Sequence, residues 1–216
     1  MGQGHQGRFI TLEGGEGGGK STQARRLAAW LQTAVSDVVL TREPGGSPGA
    51  EQIRSLLVDG DIRRWEPLSE ALLHFAARRD HLVTTILPAL ARGAWVLSDR
   101  FADSTMAYQG YGYGVDRAAL AELYRICVGA LKPDLTLILD LPVEEGLARA
   151  AGRAAGEDRY ERMDRAFHER LRNGFLEIAR NEPERCVVID AAQDEESVHS
   201  AIRAVLSERL VISSAP

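Results

Sequence analysis

At 216 residues, 44% of them hydrophobic and 26% charged, the chain is long enough to bury one substantial core, and a single α/β domain over residues 1–216 is predicted. A net charge of -5 gives no global attraction to nucleic acid or to an anionic membrane, so a small phosphorylated ligand met by a local arginine cluster fits better than DNA. Cys127 and Cys186 lie far apart without metal-ligand spacing, and no apolar run reaches the length of a membrane span or signal peptide; a cytoplasmic protein with two free thiols is expected.

Short apolar runs alternate with longer amphipathic ones. Strands are predicted at Arg8–Glu13, Val38–Thr41, Ala94–Ser98, Leu135–Leu141 and Cys186–Ile189, and helices at Lys20–Val35, Ser69–Arg92, Asp116–Leu131, Pro142–Ala154, Asp164–Arg180 and Glu195–Leu210. That rhythm predicts βαβ units and a mostly parallel, helix-covered sheet. Two segments break it: Arg42–Pro48, a turn-rich loop reading REPGGSP, and Ala150–Tyr160, which carries glycines and arginines between helices. Open α/β sheets bind ligands at the carboxyl ends of their strands, which places the first segment near a substrate and allows the second to close over it.

The first strand runs into Gly14, Gly15, Glu16, Gly17, Gly18, Gly19, Lys20 and Ser21, a match to GxxxxGK[ST] between a predicted strand and a predicted helix. Glycines let backbone N–H groups curl around a β-phosphate, the helix N-terminus adds a positive dipole end, Lys20 reaches the β/γ oxygens and Ser21 can ligate Mg²⁺. The bland alternative is a glycine-rich turn that happens to hold a lysine. Composition weakens it, because among 26 cationic residues only Lys20 and Lys132 are lysines. A compact ammonium fits inside a phosphate loop where a planar guanidinium does not. Residues 14–21 are therefore expected to bind ATP. No guanine-reading NKxD is present, which sets GTPases aside, and the rest of the chain must choose among the other P-loop proteins.

The third predicted strand ends in Ser98, Asp99, Arg100 and Phe101. Asp99 could hold Mg²⁺ through water while Arg100 grips an acceptor phosphate, with an ordinary surface ion pair as the equal alternative at this point. Arg42, Arg54 and Arg78 fall in regions that would face the same cleft.

In order along the chain stand TREPGG (41–46), IRSLLVD (53–59), LLHFAARRDHL (72–82), SDRFADSTMAYQG (98–110), KPDLTLILD (132–140) and DRYER (158–162). With the phosphate loop, these segments resemble the bacterial thymidylate kinases over nearly the whole chain. The resemblance implies the three-layer P-loop NTPase fold with a five-stranded parallel sheet, a mobile lid at about residues 149–161, and a homodimer. It also implies phosphorylation of dTMP to dTDP with MgATP, which supplies dTTP for DNA synthesis. Carried over by position, Glu16 would face the deoxyribose 3′-hydroxyl, Arg54 and Arg100 the dTMP phosphate, and Arg78 thymine O4. Thr105 and Gln109 would lie near the base edge and Tyr108 near the 2′ position, with Glu43 in the polar shell around phosphate and Mg²⁺. Arg42 is a weaker candidate for positioning. A kinase for another nucleotide is the alternative within enzymes; a non-catalytic ATP-binding protein would be expected to lack the acceptor-site arginines, yet Arg54, Arg78 and Arg100 are all present.

Two departures sharpen these expectations. Where the family has Phe or Tyr stacked on thymine, this chain has His74, followed by Phe75, so either the imidazole stacks, or the register shifts to Phe75, or His74 is an ordinary buried histidine away from the ligand. The variable phosphate-loop positions Gly15, Glu16, Gly17 and Gly18 contain no arginine, so the cation for the transferring phosphoryl group is expected from the lid, where Arg149, Arg153 and Arg159 are available and Arg153 lies mid-segment.

Overall fold

In the computed structural model, which describes residues 7–61, 64–152 and 159–210, the short apolar runs become strands β1 (Phe9–Glu13), β2 (Val38–Arg42), β3 (Trp95–Asp99), β4 (Leu135–Asp140) and β5 (Cys186–Asp190). All pair in parallel, in the order β2-β3-β1-β4-β5. The chain adds β2 and β3 on one side of β1 and then β4 and β5 on the other, so the carboxyl end of β1 is a topological switch point, where such sheets leave a crevice. The register sets Asp99 beside both Leu12 and Arg42, and the ends of β1, β2 and β3 open onto that crevice together.

Helices cover both faces. On one, α1 (Lys20–Leu31) and α9 (Glu195–Arg209) bury Leu27, Leu31, Ile202 and Leu206 against Ile10, Leu12, Leu137 and Leu139. On the other, Phe9 and Val96 meet Leu82, Ile86 and Phe101, while Ile138 meets Phe167, Leu171 and Phe175 of α8 (Arg165–Asn181). Burial on both faces is why the central strands β1, β3 and β4 read as largely apolar runs rather than alternating ones. Each fully buried leucine contributes ~1.5–3 kcal/mol of transfer free energy, so the sheet is a firm platform for the loops at its edge.

The remaining helices are α2 (Pro48–Val58), α3 (Pro67–His81), α4 (Leu87–Ala91), α5 (Ala102–Thr105), α6 (Arg117–Cys127) and α7 (Val143–Ala151). The expected helix at Ser69–Arg92 is present as a run from α3 to α4, interrupted by a π-helical stretch at Leu82–Ile86. Pro88 lacks the N–H that would close an ordinary turn onto Thr84, and Leu87 N–H bonds the Leu82 carbonyl instead. Two helices were not expected. Ser47 caps α2 by accepting from Ala50 N–H and Pro48 takes its first position, a start signal hidden by the glycines of REPGGSP. The other is α5 with its π-helical continuation Met106–Gly112, which puts Tyr108 and Gln109 on a helix rather than a loop. The helix expected over 142–154 is seen to Ala151.

Candidate active site

The phosphate loop leaves β1 at Gly14, whose φ is 132°, and turns through Gly17 and Gly19 at φ 71° and 78°, a region that side chains enter only under strain. Gly17 also has no room for a Cβ, which would lie 2.0 Å from the carbonyl oxygen of Gly146; one on Gly146 would lie 2.6 Å from that of Glu16. The loop is thus seated directly on the first turn of α7. At its far end Gly19 caps α1 without any side-chain bond, so the first-turn N–H groups stay open to an anion. Lys20 is buried and its Nζ donates to the Gly15 carbonyl at 2.6 Å. Burial, helped by nearby Arg100, pushes its pKa down to about 8, and phosphate oxygens would raise it again.

Beside the loop, Ser21 Oγ donates to Asp99 Oδ2. The residues present fit Mg²⁺: two hard oxygen ligands stand together next to a phosphate cradle, and no cluster of three His, Cys, Asp or Glu exists among the described residues. Mg²⁺ takes one or two protein oxygens and completes its shell with phosphate and water, which is what this pair permits.

Arg100 has φ 72°, the only such value outside glycine among the described residues. A side chain in that region costs of order 1–3 kcal/mol and persists where surrounding contacts hold it. Here they do: the guanidinium donates to the Gly14 carbonyl and Ser104 Oγ at 3.1 Å, to Glu16 at 3.1 Å and to the Tyr108 hydroxyl at 2.9 Å, and lies 5.0 Å from the Tyr108 ring centre. Burial alone would raise the Glu16 carboxyl, but Arg100 and Lys20 outweigh it and hold the group down at about 2. Beneath them Glu13 accepts from Phe101 N–H and Ser104 Oγ, and burial together with Asp103 pushes it up to about 8.

From the loop a cleft of about 770 Å³ extends over the ends of β2 and β3. Arg78 forms its floor and is 2% exposed. Its Nε donates to Glu43 at 2.7 Å and its Nη2 to Thr105 Oγ1 and the Phe101 carbonyl at 3.0 Å, while Nη1 is buried without a partner. Glu43, expected around phosphate and Mg²⁺, has its second oxygen 3.0 Å from His81 Nδ1, so both oxygens are engaged in fixing the floor. Thr105 likewise holds Arg78 by its hydroxyl. Gln109 lines the cleft, with Nε2 on Glu70 and Oε1 buried and unpartnered. Arg54 lines it too and donates to the Pro44 carbonyl, and Arg42, more exposed, lines its edge and pairs with Glu51.

The helix register separates His74 from Phe75. His74 lines the cleft, while Phe75 is 3% exposed and packs away from it against Ala71 and Leu120. His74 Nε2 lies 3.1 Å from the Tyr160 hydroxyl. Burial, then Arg78 and Arg159, push the imidazole down to about 3, so it is neutral at physiological pH.

The lid arginines divide. Arg153 lies outside the described residues. Arg149 does not reach the phosphate loop; its guanidinium donates to the carbonyls of Ala191 and Ala192, after β5. Arg159 is buried and bonds the Leu57 and Asp61 carbonyls while forming an ion pair with Glu70, so it pins its segment to α2 and α3 instead of standing as a mobile cation. Sequence reasoning also missed Glu13, Glu70, His81 and Tyr160. Glu70 in particular looks like an ordinary first-turn acid of a helix, placed there by the macrodipole.

A family model described as Thymidylate kinase matches residues 12–202. The chain is 59% identical over 205 residues to the thymidylate kinase of Caulobacter vibrioides, covering 95% of this chain and 98% of that one. It is 53% identical over 201 residues to that of Dinoroseobacter shibae, covering 93% and 97%. Among solved structures, the thymidylate kinase of Ehrlichia chaffeensis superposes with a TM-score of 0.76 at 38% identity, over 93% of this chain and 98% of the other.

Proposed function

The chain belongs to the thymidylate kinase family and phosphorylates dTMP to dTDP, and we propose that MgATP is the donor and that the cleft described above joins the two nucleotides. The phosphate loop and Lys20 would hold the β- and γ-phosphates, and Ser21 and Asp99 would hold Mg²⁺, which neutralises charge on the phosphates when bound. Arg54 and Arg100 would align the dTMP phosphate. A phosphate oxygen of dTMP is already deprotonated, so it attacks the γ-phosphorus without a general base, the bond to the β-bridging oxygen breaks, and ADP leaves. Positioning and charge stabilisation then carry the catalysis. Glu16 and Tyr108, locked to Arg100, would form the wall against the deoxyribose, and His74 the face against the base. Of the three lid arginines, Arg153 is the one proposed for the transferring phosphoryl group, because Arg149 and Arg159 have structural partners.

What carries this reading is the bare Nη1 of Arg78 at the floor of an arginine-lined cleft that opens onto the phosphate loop, a buried donor in want of an acceptor. A coupled ADP-release assay across dTMP, dUMP, dCMP, dGMP, dAMP and thymidine tests it. dTMP should give the highest kcat/KM; a better acceptor among the others would overturn the assignment. The same proposal takes residues 1–216 as one domain, in the cytoplasm, and as a homodimer. For the dimer the support is a set of exposed apolar side chains, Leu68, Leu72, Val83 and Leu87 along the run from α3 to α4 and Ile126 on α6.

A further inference from the structure

We propose that Glu70 sets the base specificity of the acceptor site, as a positioning residue that fixes which way the Gln109 amide faces; this rests on the cleft being the dTMP site. Glu70 is fully buried in the first turn of α3, behind the residues that line the cleft. An ionised carboxylate accepts hydrogen bonds and donates none. Its neighbours accordingly turn donors toward it: Gln109 Nε2 at 2.8 Å, the Tyr160 hydroxyl at 2.8 Å, and the Arg159 guanidinium in a buried ion pair.

Gln109 is thereby locked in one of its two amide orientations. Its Oε1 faces away from Glu70, buried and without a partner among the described residues. Arg78 offers the matching opposite, an unpartnered buried N–H at Nη1. Buried polar groups without partners are rare in folded proteins. Here one donor and one acceptor occur together on residues that line the same cleft.

The pair complements the thymine edge, where O4 accepts and N3–H donates. Cytosine reverses both positions, presenting an amino donor at C4 and a lone pair at N3. Arg78 cannot become an acceptor. Gln109 could meet cytosine N3 only by flipping its amide, which would press Oε1 against the Glu70 carboxylate. Glu70 therefore rejects cytosine by forbidding the flip, a repulsive element placed one residue behind the contact. Uracil has the same edge as thymine, so Glu70 is silent about the 5-methyl group. The same polarity reaches His74: with the Tyr160 proton given to Glu70, the Tyr160 oxygen accepts from His74 Nε2–H, which fixes that tautomer.

The test is kcat/KM for dTMP, dUMP and dCMP with MgATP, on the wild type and on Glu70→Gln, Glu70→Asp and Gln109→Met. A glutamine at position 70 can present either side of its amide and frees Gln109 to turn. The preference for dTMP over dCMP should then fall at least about tenfold, while dTMP over dUMP stays within about twofold. Glu70→Asp keeps an acceptor-only group and should recover most of the preference. Gln109→Met leaves the Glu70–Arg159 pair intact and should lose the preference as Glu70→Gln does, which keeps the proposal testable if Glu70→Gln does not fold. An unchanged dTMP to dCMP ratio in either variant, or an equal loss on all three acceptors, overturns it. A wild type inactive on dTMP would instead sink the reading of the cleft, and would be seen before any variant is made.

Discussion

The two halves of this cleft are built from different materials. The phosphate loop is eight consecutive residues, Gly14 to Ser21, and its binding groups are backbone N–H groups, a helix end and one lysine. The acceptor half takes side chains from α2, α3, the end of β3, the helix carrying Tyr108 and Gln109, and Arg159 and Tyr160. Those side chains are aimed by carboxylates: buried Glu43 under Arg78, buried Glu70 under Gln109, and half-buried Glu16 of the loop against Arg100. A backbone site is fixed wherever its glycines allow the turn; a side-chain site is only as fixed as the partners behind it. Perturbing the first half should therefore cost rate, and perturbing the second should shift affinity and selectivity.

The largest expected effect lies in the loop. Lys20→Ala removes the cation meant for the β/γ oxygens and should lower kcat by ~10² to 10³, as losing one preorganised charge-stabilising group does elsewhere. Its ammonium bonds the Gly15 carbonyl rather than filling core space, so Tm should stay within about 4 °C of the wild type. Near-normal kcat in the folded variant would break the contrast at its root.

That difference in material also explains what the sequence could and could not tell. The sheet was legible because the central strands β1, β3 and β4 are buried on both faces and therefore largely apolar, and β1 to β5 fall within a residue of the expected runs. The phosphate loop was legible because its spacing is the mechanism. Arg54, Arg78 and Arg100 were picked out by their places after strands and on helices, Gln109 by resemblance, and all line one cleft, but their supports were invisible. Nothing in the spacing of Glu70 says it is buried beside Arg159, 89 residues away in sequence. The helix α2 is hidden among loop glycines, and the anchoring of Arg159 is hidden because its partners at Leu57 and Asp61 lie equally far off.

A pH profile separates the two halves at an intermediate scale. Lys20 in the free enzyme is depressed to about 8, so it carries its charge below that pH and loses it above. ATP needs the charged form, and kcat/KM for ATP should fall by about tenfold per pH unit above about 8. With ATP saturating, the phosphates hold the proton on Lys20, and kcat/KM for dTMP should lack that fall. Glu13, raised to about 8, would enter both profiles alike, so the difference between them reports Lys20. Superimposable profiles would mean that Lys20 does not face ATP.

The smallest effect should come from His74. Its imidazole faces the cleft while Phe75 is packed against Ala71 and Leu120, so the stacking surface available to a base is a small, neutral ring rather than a phenyl. His74→Phe enlarges that surface and gives up the contact with the Tyr160 hydroxyl, which keeps Glu70 as its partner. An aromatic pair contributes ~0.5–1.5 kcal/mol beyond its buried area, and the gain over an existing ring is some fraction of that, so KM for dTMP should fall by about two- to fivefold. Stacking acts on the ground state and the transition state equally, which leaves kcat within about twofold. Because Glu70 still holds the Gln109 amide, the dTMP to dCMP ratio should not move, and steady-state kinetics on the two acceptors reads all three quantities at once. An unchanged KM would show that the base does not lie on His74, and a changed ratio would show that stacking and edge recognition are one system rather than two.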